Sequence, residues 1–541
     1  MNRNIRTTLA ALATTWAAVT ASAQFYPLPP PAYPGLTNFT LRASDPYMSS
    51  WDFGVNIRGR MEDKDNAGFT SAGSNRDFAG GRPAAGNGDR FDNNNTYFLS
   101  RIMPRVGYTD KWFQLFAQGR ASSSYDDERG NNGTTYGNAL ANAAGIKAGD
   151  GLTENNNGMD LYQGYVFVGN HKEFPVSAKI GRQELVYGEQ RQVGSFLWNN
   201  NARSFDAAKV RYQSKWFGAD VFTGGVVFND SNNFDKSHLD SDHFSGVYVN
   251  FTKIPGVTDK QLVETYLYNH NVDRNSLRED WGGVAAPFRQ PFVQDLYTAG
   301  LRIKSKPNAY GAWDYSAELM YQFGTIYNRT AAGAALVPVN SAATLGAKAN
   351  PELEQQAYAA ILQAGYTWTE SPYQPRLALI YSYGSGDKNA ADGKSGTFQN
   401  QYATTHMFYG YMDLNSLQNL SDIRLAYTIK PTTKITMALE GHLQYLDSTS
   451  DYWYNVGGVA RTGGAALNNH NGYNRNSTYS NQLGQEIDFI TSYAPVPYLN
   501  FEAGVAHYFR GDYVKETWSA AASNGGSKDA NYVYVQATLN L

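Results

Sequence analysis

From Trp51 onward, apolar and polar residues exchange places at every second position. Trp51, Phe53, Val55 and Ile57 alternate with Asp52, Gly54, Asn56 and Arg58. A period of two is that of a β-strand with one apolar face. The pattern returns in Tyr97–Tyr108, where Phe98, Ile102, Val106 and Tyr108 share a face opposite Arg101 and Arg105. After the short turn Thr109–Lys111 it resumes with Phe113, Leu115 and Ala117 against Gln114, Gln118 and Arg120. The last stretch alternates without a break: Val533, Val535, Ala537, Leu539 and Leu541 face one way and Tyr532, Tyr534, Gln536, Thr538 and Asn540 the other.

The connections also alternate. Short ones near Gly169–Phe174, Gln213–Lys215, Lys253–Thr258 and Pro431–Thr433 separate long Asn/Gly/Asp-rich ones near Gln190–Arg203, Asp230–His243, Asp387–Asn415, Asp447–Ser480 and Gly511–Asn531. Counting in this way predicts about 18 strands, an even number that returns both termini to the short-turn side. The predicted fold is all-β: a transmembrane, antiparallel, up-and-down barrel with short periplasmic turns and long extracellular loops. A soluble sandwich or solenoid is disfavoured by the one-sided loop lengths and by the lack of a fixed repeat.

Composition strengthens the membrane reading. Tyr is 39, Gly 52 and aromatics 14%, while the mean hydropathy is −0.50. Abundant aromatics with a polar average suit a barrel that shows lipid only every second residue. After the N-terminal segment, no stretch is apolar over the length a membrane helix needs. Residues 1–23 carry Arg3, Arg6, a short apolar run and Ala21-Ser22-Ala23, the form of a cleavable secretory signal. Residues 24–50 open with FYPLPPPAYPG, expected to be an extended Pro-rich periplasmic lead-in, and the barrel is assigned to 51–541. There is no Cys, which excludes disulfides, thiolate metal sites and lipoprotein acylation. The formal net charge is −3 and becomes −5 once the two leader arginines are removed. That balance argues against nucleic acid as a partner.

If the apolar face meets lipid, the alternate positions line a lumen. The stretch KIGRQELVYGEQRQVGSFLWNNNARSFDAAKVRY, beginning at Lys179, is then a long-looped hairpin with Lys and Arg inside. Candidate pore-lining residues are Arg58, Arg60, Arg101, Arg105, Arg120, Lys179, Arg182, Lys209, Arg211, Arg302 and Arg424. Strict alternation points Arg182 outward unless Gly181 hosts a bulge. Cations crowded in a narrow wet channel attract anions, and the planar guanidinium holds both oxygens of a carboxylate. Acids also line the later strands: Asp220, Glu264, Asp314, Glu318, Glu440, Glu486, Asp488 and Glu502. They offer a competing role, in which each arginine only braces a neighbouring acid.

Two stretches carry a family resemblance: GRQELVYGEQRQVGSFLWNNNARSFDAAKVRY from Gly181, and SGDKNAADGKSGTFQNQYATTHMFYGYMDL from Ser385. Both resemble the alginate-export family of outer-membrane proteins. The resemblance implies a monomeric eighteen-stranded barrel whose Arg-lined pore passes an anionic uronate polysaccharide or oligosaccharide. The closing strand resembles the C-terminal targeting strand read by the barrel-assembly machinery, although it ends in Leu541 where Phe is usual.

Catalysis and metals fit less well. His442, beside Glu440 and Gln444, reads as a lumenal hydrogen-bonding residue with no companion nucleophile. His238, Asp240, Asp242 and His243, and the oxygens of Asp387, Asn389 and Asp392, lack a complete ligand spacing. The expectation is a passive channel with no enzyme activity and no cofactor. A general small-solute porin is the alternative, with a closed adhesin or scaffold barrel behind it.

Overall fold

The computed structural model describes residues 35–66, 94–125, 157–170, 172–229, 234–272, 292–328, 353–389, 392–458, 477–521 and 529–541. The leader and the proline run at Pro29–Pro31 lie outside the described residues. Residues 36–50 are helical: α1 (Leu36–Ser44) is followed by a 3-10 turn (Pro46–Ser50). Gly35, at φ 94°, starts α1. The buried Asn38 anchors it, donating to Asp52 Oδ1 at 2.5 Å and accepting from Phe53 N at 2.8 Å.

The strands are β1 (Trp51–Asp65), β2 (Asn94–Thr109), β3 (Phe113–Tyr125), β4 (Asn157–Gly169), β5 (Val176–Gln183), β6 (Phe205–Gln213) and β7 (Phe217–Phe228). Then come β8 (Lys236–Ser237), β9 (Asp242–Phe251), β10 (Gln261–Val272), β11 (Phe292–Ser305), β12 (Trp313–Asn328), β13 (Leu353–Thr367) and β14 (Arg376–Gly384). The chain finishes through β15 (Lys394–Ser395), β16 (Leu420–Thr432), β17 (Ile435–Leu446), β18 (Gln482–Val496), β19 (Leu499–Arg510), α2 (Asp512–Ala521) and β20 (Ala530–Asn540).

Eighteen of these strands close an antiparallel barrel. The two-residue β8 and β15 stand outside the ring, since β7 pairs with β9 and β14 with β16. Closure is made by β1 and β20, in register from Asn56↔Asn540 to Asp65↔Asn531. The last residue extends it, with Leu541 N donating to Val55 O at 2.9 Å. In hydrocarbon an unpaired backbone group costs several kcal/mol, so a spanning sheet must leave no free edge.

The alternation seen in the sequence becomes the two faces of the wall. Along β13 buried and exposed positions alternate almost without exception. Leu267, Leu301, Leu319, Leu379, Leu425, Leu439, Ile487 and Val535 are exposed on the outer face. Exposed apolar side chains in such a band belong against lipid. Aromatic residues crowd the short-turn rim: Trp51 meets Tyr108 at 5.1 Å and Trp313 meets Tyr366 at 4.9 Å between ring centroids. Rings with a polar tip suit the membrane–water boundary.

Candidate functional site

The inner wall is covered by the chain itself. Residues 184–204, which join β5 to β6, turn into the barrel, and so do residues 395–419 between β14 and β16. Asn200, Asn201, Phe398, Leu417 and Met412 are all fully buried. Composition had placed both among the long outer loops. They fold inward because inner-wall groups take up their backbone polar atoms, as buried amides and carbonyls require.

The first segment is held by arginines of β1, β2 and β3. Arg58 Nη1 donates to Leu197 O at 2.7 Å, and Arg101 Nη1 reaches the same oxygen at 2.9 Å. Arg58 also donates to Asn200 Oδ1 at 3.0 Å. Arg60 donates to Trp198 O at 2.8 Å, pairs with Glu62 at 2.7 Å, and lies 3.7 Å from the centre of the Trp198 ring. Arg120 donates to Asn201 O and pairs with Asp235 at 2.5 Å. All four guanidinium groups are buried. Charged donors to carbonyls form strong bonds, so this basic strip is the seat of a loop.

The second segment is held from the other side of the barrel. Gln322 on β12 donates to Gln399 O at 2.8 Å, Arg424 on β16 to Met407 O at 2.7 Å, and Gln444 on β17 to Tyr409 O at 2.8 Å. Glu486 on β18 accepts from Met412 N at 2.8 Å. The two segments then join edge to edge: Gly194 N donates to Tyr402 O at 2.9 Å, Tyr402 N to Gln192 O at 2.8 Å, and Thr404 N to Gln190 O at 2.9 Å. Arg203 clasps them, donating to Gly194 O at 3.2 Å and Ala403 O at 3.1 Å. Together they touch strands around most of the circumference and constrict the lumen.

Other expected site residues keep more water. Lys209 and Arg211 on β6 share Asp220, at 3.5 and 2.7 Å, and their side chains are 24% and 36% exposed. Lys179 on β5 is paired with Lys209 across the strands, so two ammonium groups neighbour one another. It also lies 3.7 Å from the Tyr165 ring centre. On β11, Arg302 and Lys304 both donate to Glu189 of the first inward segment, at 2.8 and 2.9 Å, and Arg302 also pairs with Glu264. Arg105 pairs with Asp52 at 3.1 Å and Arg424 with Glu440 at 3.2 Å.

Arg182 is buried and pairs with Asp206 at 2.8 Å, while also donating to Leu161 O and Asp235 O. No bulge brings it there. The register of β5 runs unbroken through Gly181 on both sides. Gly181 instead adopts φ 122°, outside the range of L-residues with side chains, and a Cβ there would meet Gly164 O.

Trp198, Tyr402 and Arg191, whose guanidinium lies 3.6 Å from the Phe408 ring centre, were not among the expected site residues. Nothing local marks a loop residue as inward-pointing. The loop groups weighed for metals do not converge. Asp242 accepts from His270 at 2.9 Å, and His243 turns to Thr223 and Leu239 O. Asp387 and Asp392 cap the backbone of Asn389 and Lys394.

A closed eighteen-strand wall with a lipid-facing apolar band and a polar, loop-constricted interior defines an outer-membrane channel. The chain belongs to the alginate export family, whose model matches residues 50–527. Similar solved structures include Pseudomonas aeruginosa OccK5, at 11% identity over 91% of this chain and 99% of that one, with a TM-score of 0.46. Pseudomonas aeruginosa OccK2 in complex with glucuronate matches at 11% identity over 91% and 98%, with a TM-score of 0.47. A BenF-like porin from Pseudomonas fluorescens matches at 11% identity over 91% and 99%, with a TM-score of 0.48. No curated protein sequence matches the chain.

Proposed function

We propose that this outer-membrane channel passes an anionic sugar polymer or oligosaccharide of the uronate class, passively and down its concentration gradient. One observation carries the reading. Lys179, Lys209 and Arg211 stand together on adjoining strands near the short-turn rim; Lys209 and Arg211 share Asp220 and are partly exposed. On β11, Arg302 and Lys304 clasp the Glu189 carboxylate, in the arrangement a cargo carboxylate would require. Arg58 and Arg101 meet neutral loop carbonyls and add positive potential, which low-dielectric walls focus, whereas Arg60 and Arg120 are answered by Glu62 and Asp235. Arg58, Arg60, Arg101 and Arg120 thus act on cargo through the loop they hold, whereas Lys179, Lys209, Arg211 and Lys304 touch it. Membership of the alginate export family points to the same class of cargo.

A general small-solute porin is favoured by a different observation. Asp220 and Glu264 pair with Arg211 and Arg302, and Glu318 stands opposite Arg302 on the neighbouring strand, so these acids offset the positive charge offered to a polyanion. Planar bilayers holding the full mature chain separate the two. The uronate reading expects an anion-selective reversal potential in a salt gradient and concentration-dependent block by oligouronates. Cation preference, or indifference to uronates with free passage of neutral sugars, overturns it.

A further inference from the structure

The inner faces of β16, β17 and β18 carry a second concentration of chemistry, apart from the cationic groups. Asp422, Glu440, His442, Glu486 and Asp488 are all buried, three of them completely. Arg424 pairs with Glu440 at 3.2 Å. Four carboxylates are thus gathered around one guanidinium and one imidazole, an excess that a dry site cannot carry unaided.

The imidazole shows what compensates it. His442 Nδ1 lies 2.9 Å from Asp422 Oδ1 and donates to that carboxylate. With that proton on Nδ1, Nε2 points the other way. There it meets Glu440 Oε2 at 3.8 Å and Asp488 Oδ2 at 3.6 Å. These three atoms lie within 4.8 Å of one another, so a cation must stand between them, either a proton on Nε2 or a metal ion. With every acid ionised, no donor is placed on either oxygen of Asp488, on Asp422 Oδ2 or on Glu486 Oε2, and His442 Nε2 has no close partner; a proton shared between Glu486 and Asp488 is the alternative to a metal ion. Buried polar atoms are rarely left so, least of all in one cluster.

We propose that this cluster is a divalent transition-metal site, with His442 Nε2, Glu440 and Asp488 as protein ligands and Asp422 as the group that orients the imidazole. One nitrogen with carboxylate oxygens suits Zn²⁺ or Mn²⁺ over the all-oxygen sets of Ca²⁺ and Mg²⁺. A tetrahedral ion bound at about 2.0–2.1 Å holds its ligand atoms roughly 3.3–3.4 Å apart, so the two carboxylate oxygens, now 3.8 and 3.6 Å from Nε2, would close on that nitrogen by only a few tenths of an ångström. The carboxylate–histidine pair behind the ligand is the usual arrangement for fixing the tautomer of a metal-bound imidazole. The ion also reaches the constriction: Glu486, beside Asp488 on β18, receives Met412 N of the second inward segment. Metal binding would draw the acids together and stiffen the seat of that segment.

The test uses the full chain in detergent, stripped with a chelator, and Zn²⁺ or Co²⁺ alone as probe. Calorimetry and elemental analysis after dialysis should find one Zn²⁺ per chain. Co²⁺ should give visible d–d bands from wild-type protein, a readout that needs no variant. H442Q and D488N should lose the bound ion, and D422N should weaken it about 10- to 100-fold. Exchange of the Met412 amide should slow on loading. Folded wild-type protein that retains no Zn²⁺ and gives no Co²⁺ bands overturns the proposal and leaves a proton shared among the acids. Zn²⁺ bound equally by wild type, H442Q and D488N puts the ion elsewhere and overturns it as well.

Discussion

The indole of Trp198 and the imidazole of His406 lie face to face, their ring centres 3.6 Å apart and their planes within 3°. The guanidinium of Arg60 lies 3.7 Å from the same indole, necessarily on its other face. One aromatic ring thus joins the barrel wall to the first inward segment and that segment to the second. W198A removes both stacks and the edge contact with Tyr534 of β20, while every strand residue is kept. It should enlarge single-channel conductance and add gating noise while the barrel keeps its heat-modifiable mobility on gels. Unchanged conductance would mean that the two segments do not narrow the path.

Seating and selectivity are separable among the arginines. Arg58 and Arg101 both donate to Leu197 O, and each charged hydrogen bond is worth about 1.5–3 kcal/mol. The double variant R58Q/R101Q should expose residues 185–203 to limited proteolysis in an otherwise intact barrel. K209Q/R211Q should leave that segment protected and lower anion selectivity, read as a shift in reversal potential. Equal selectivity loss with no change in proteolysis for the first pair would reverse these roles.

Gly410 tests how tightly the second segment is seated. It adopts φ 101°, and a Cβ there would lie 2.7 Å from Glu486 Oε1 and nearer still to Oε2. G410A combines backbone strain of about 1–3 kcal/mol with the loss of room for that carboxylate. Exchange at the Met412 amide, which donates to Glu486, should rise at least tenfold. Wild-type protection in G410A would show that the segment accommodates a side chain there.

Asp451, in the extracellular connection after β17, should make that loop sensitive to pH. It is fully buried and accepts from Thr397 Oγ1 at 2.6 Å, Asp387 N at 3.0 Å and Tyr454 OH at 2.8 Å. Burial nevertheless pushes its carboxyl up to about 6, above the ~4 of an exposed aspartate. The folded loop therefore binds this proton more tightly than the open one. Its contribution is complete below about pH 4 and is lost as pH rises through 6. Protection of the Asp387 amide, corrected for intrinsic exchange, should be greater at pH 4.5 than at pH 7.5, and D451N should flatten the difference. Protection that grows with pH would reverse the sign.

Alternation by itself determined the eighteen barrel strands and the face that most of their side chains take, Arg182 being an exception. In an extended chain successive Cβ atoms point to opposite sides, so Leu425 faces lipid and Arg424 the interior whatever else the fold does. The loops carried no such rule. Residues 190–203 and 387–415 share the Asn/Gly-rich composition of the long connections, and only the folded barrel turns 190–203 and 395–415 inward. Leu197 O finds Arg58 and Arg101 far back along the chain, and Trp198 finds His406 more than two hundred residues ahead. Gly181 shows the same division on a smaller scale, since its glycine was visible but its positive φ depends on how β4 and β6 pair around it. Strand faces follow from the steric period of neighbouring residues. The direction of a loop depends on partners that sequence distance hides, and those partners exist only once the cylinder has closed.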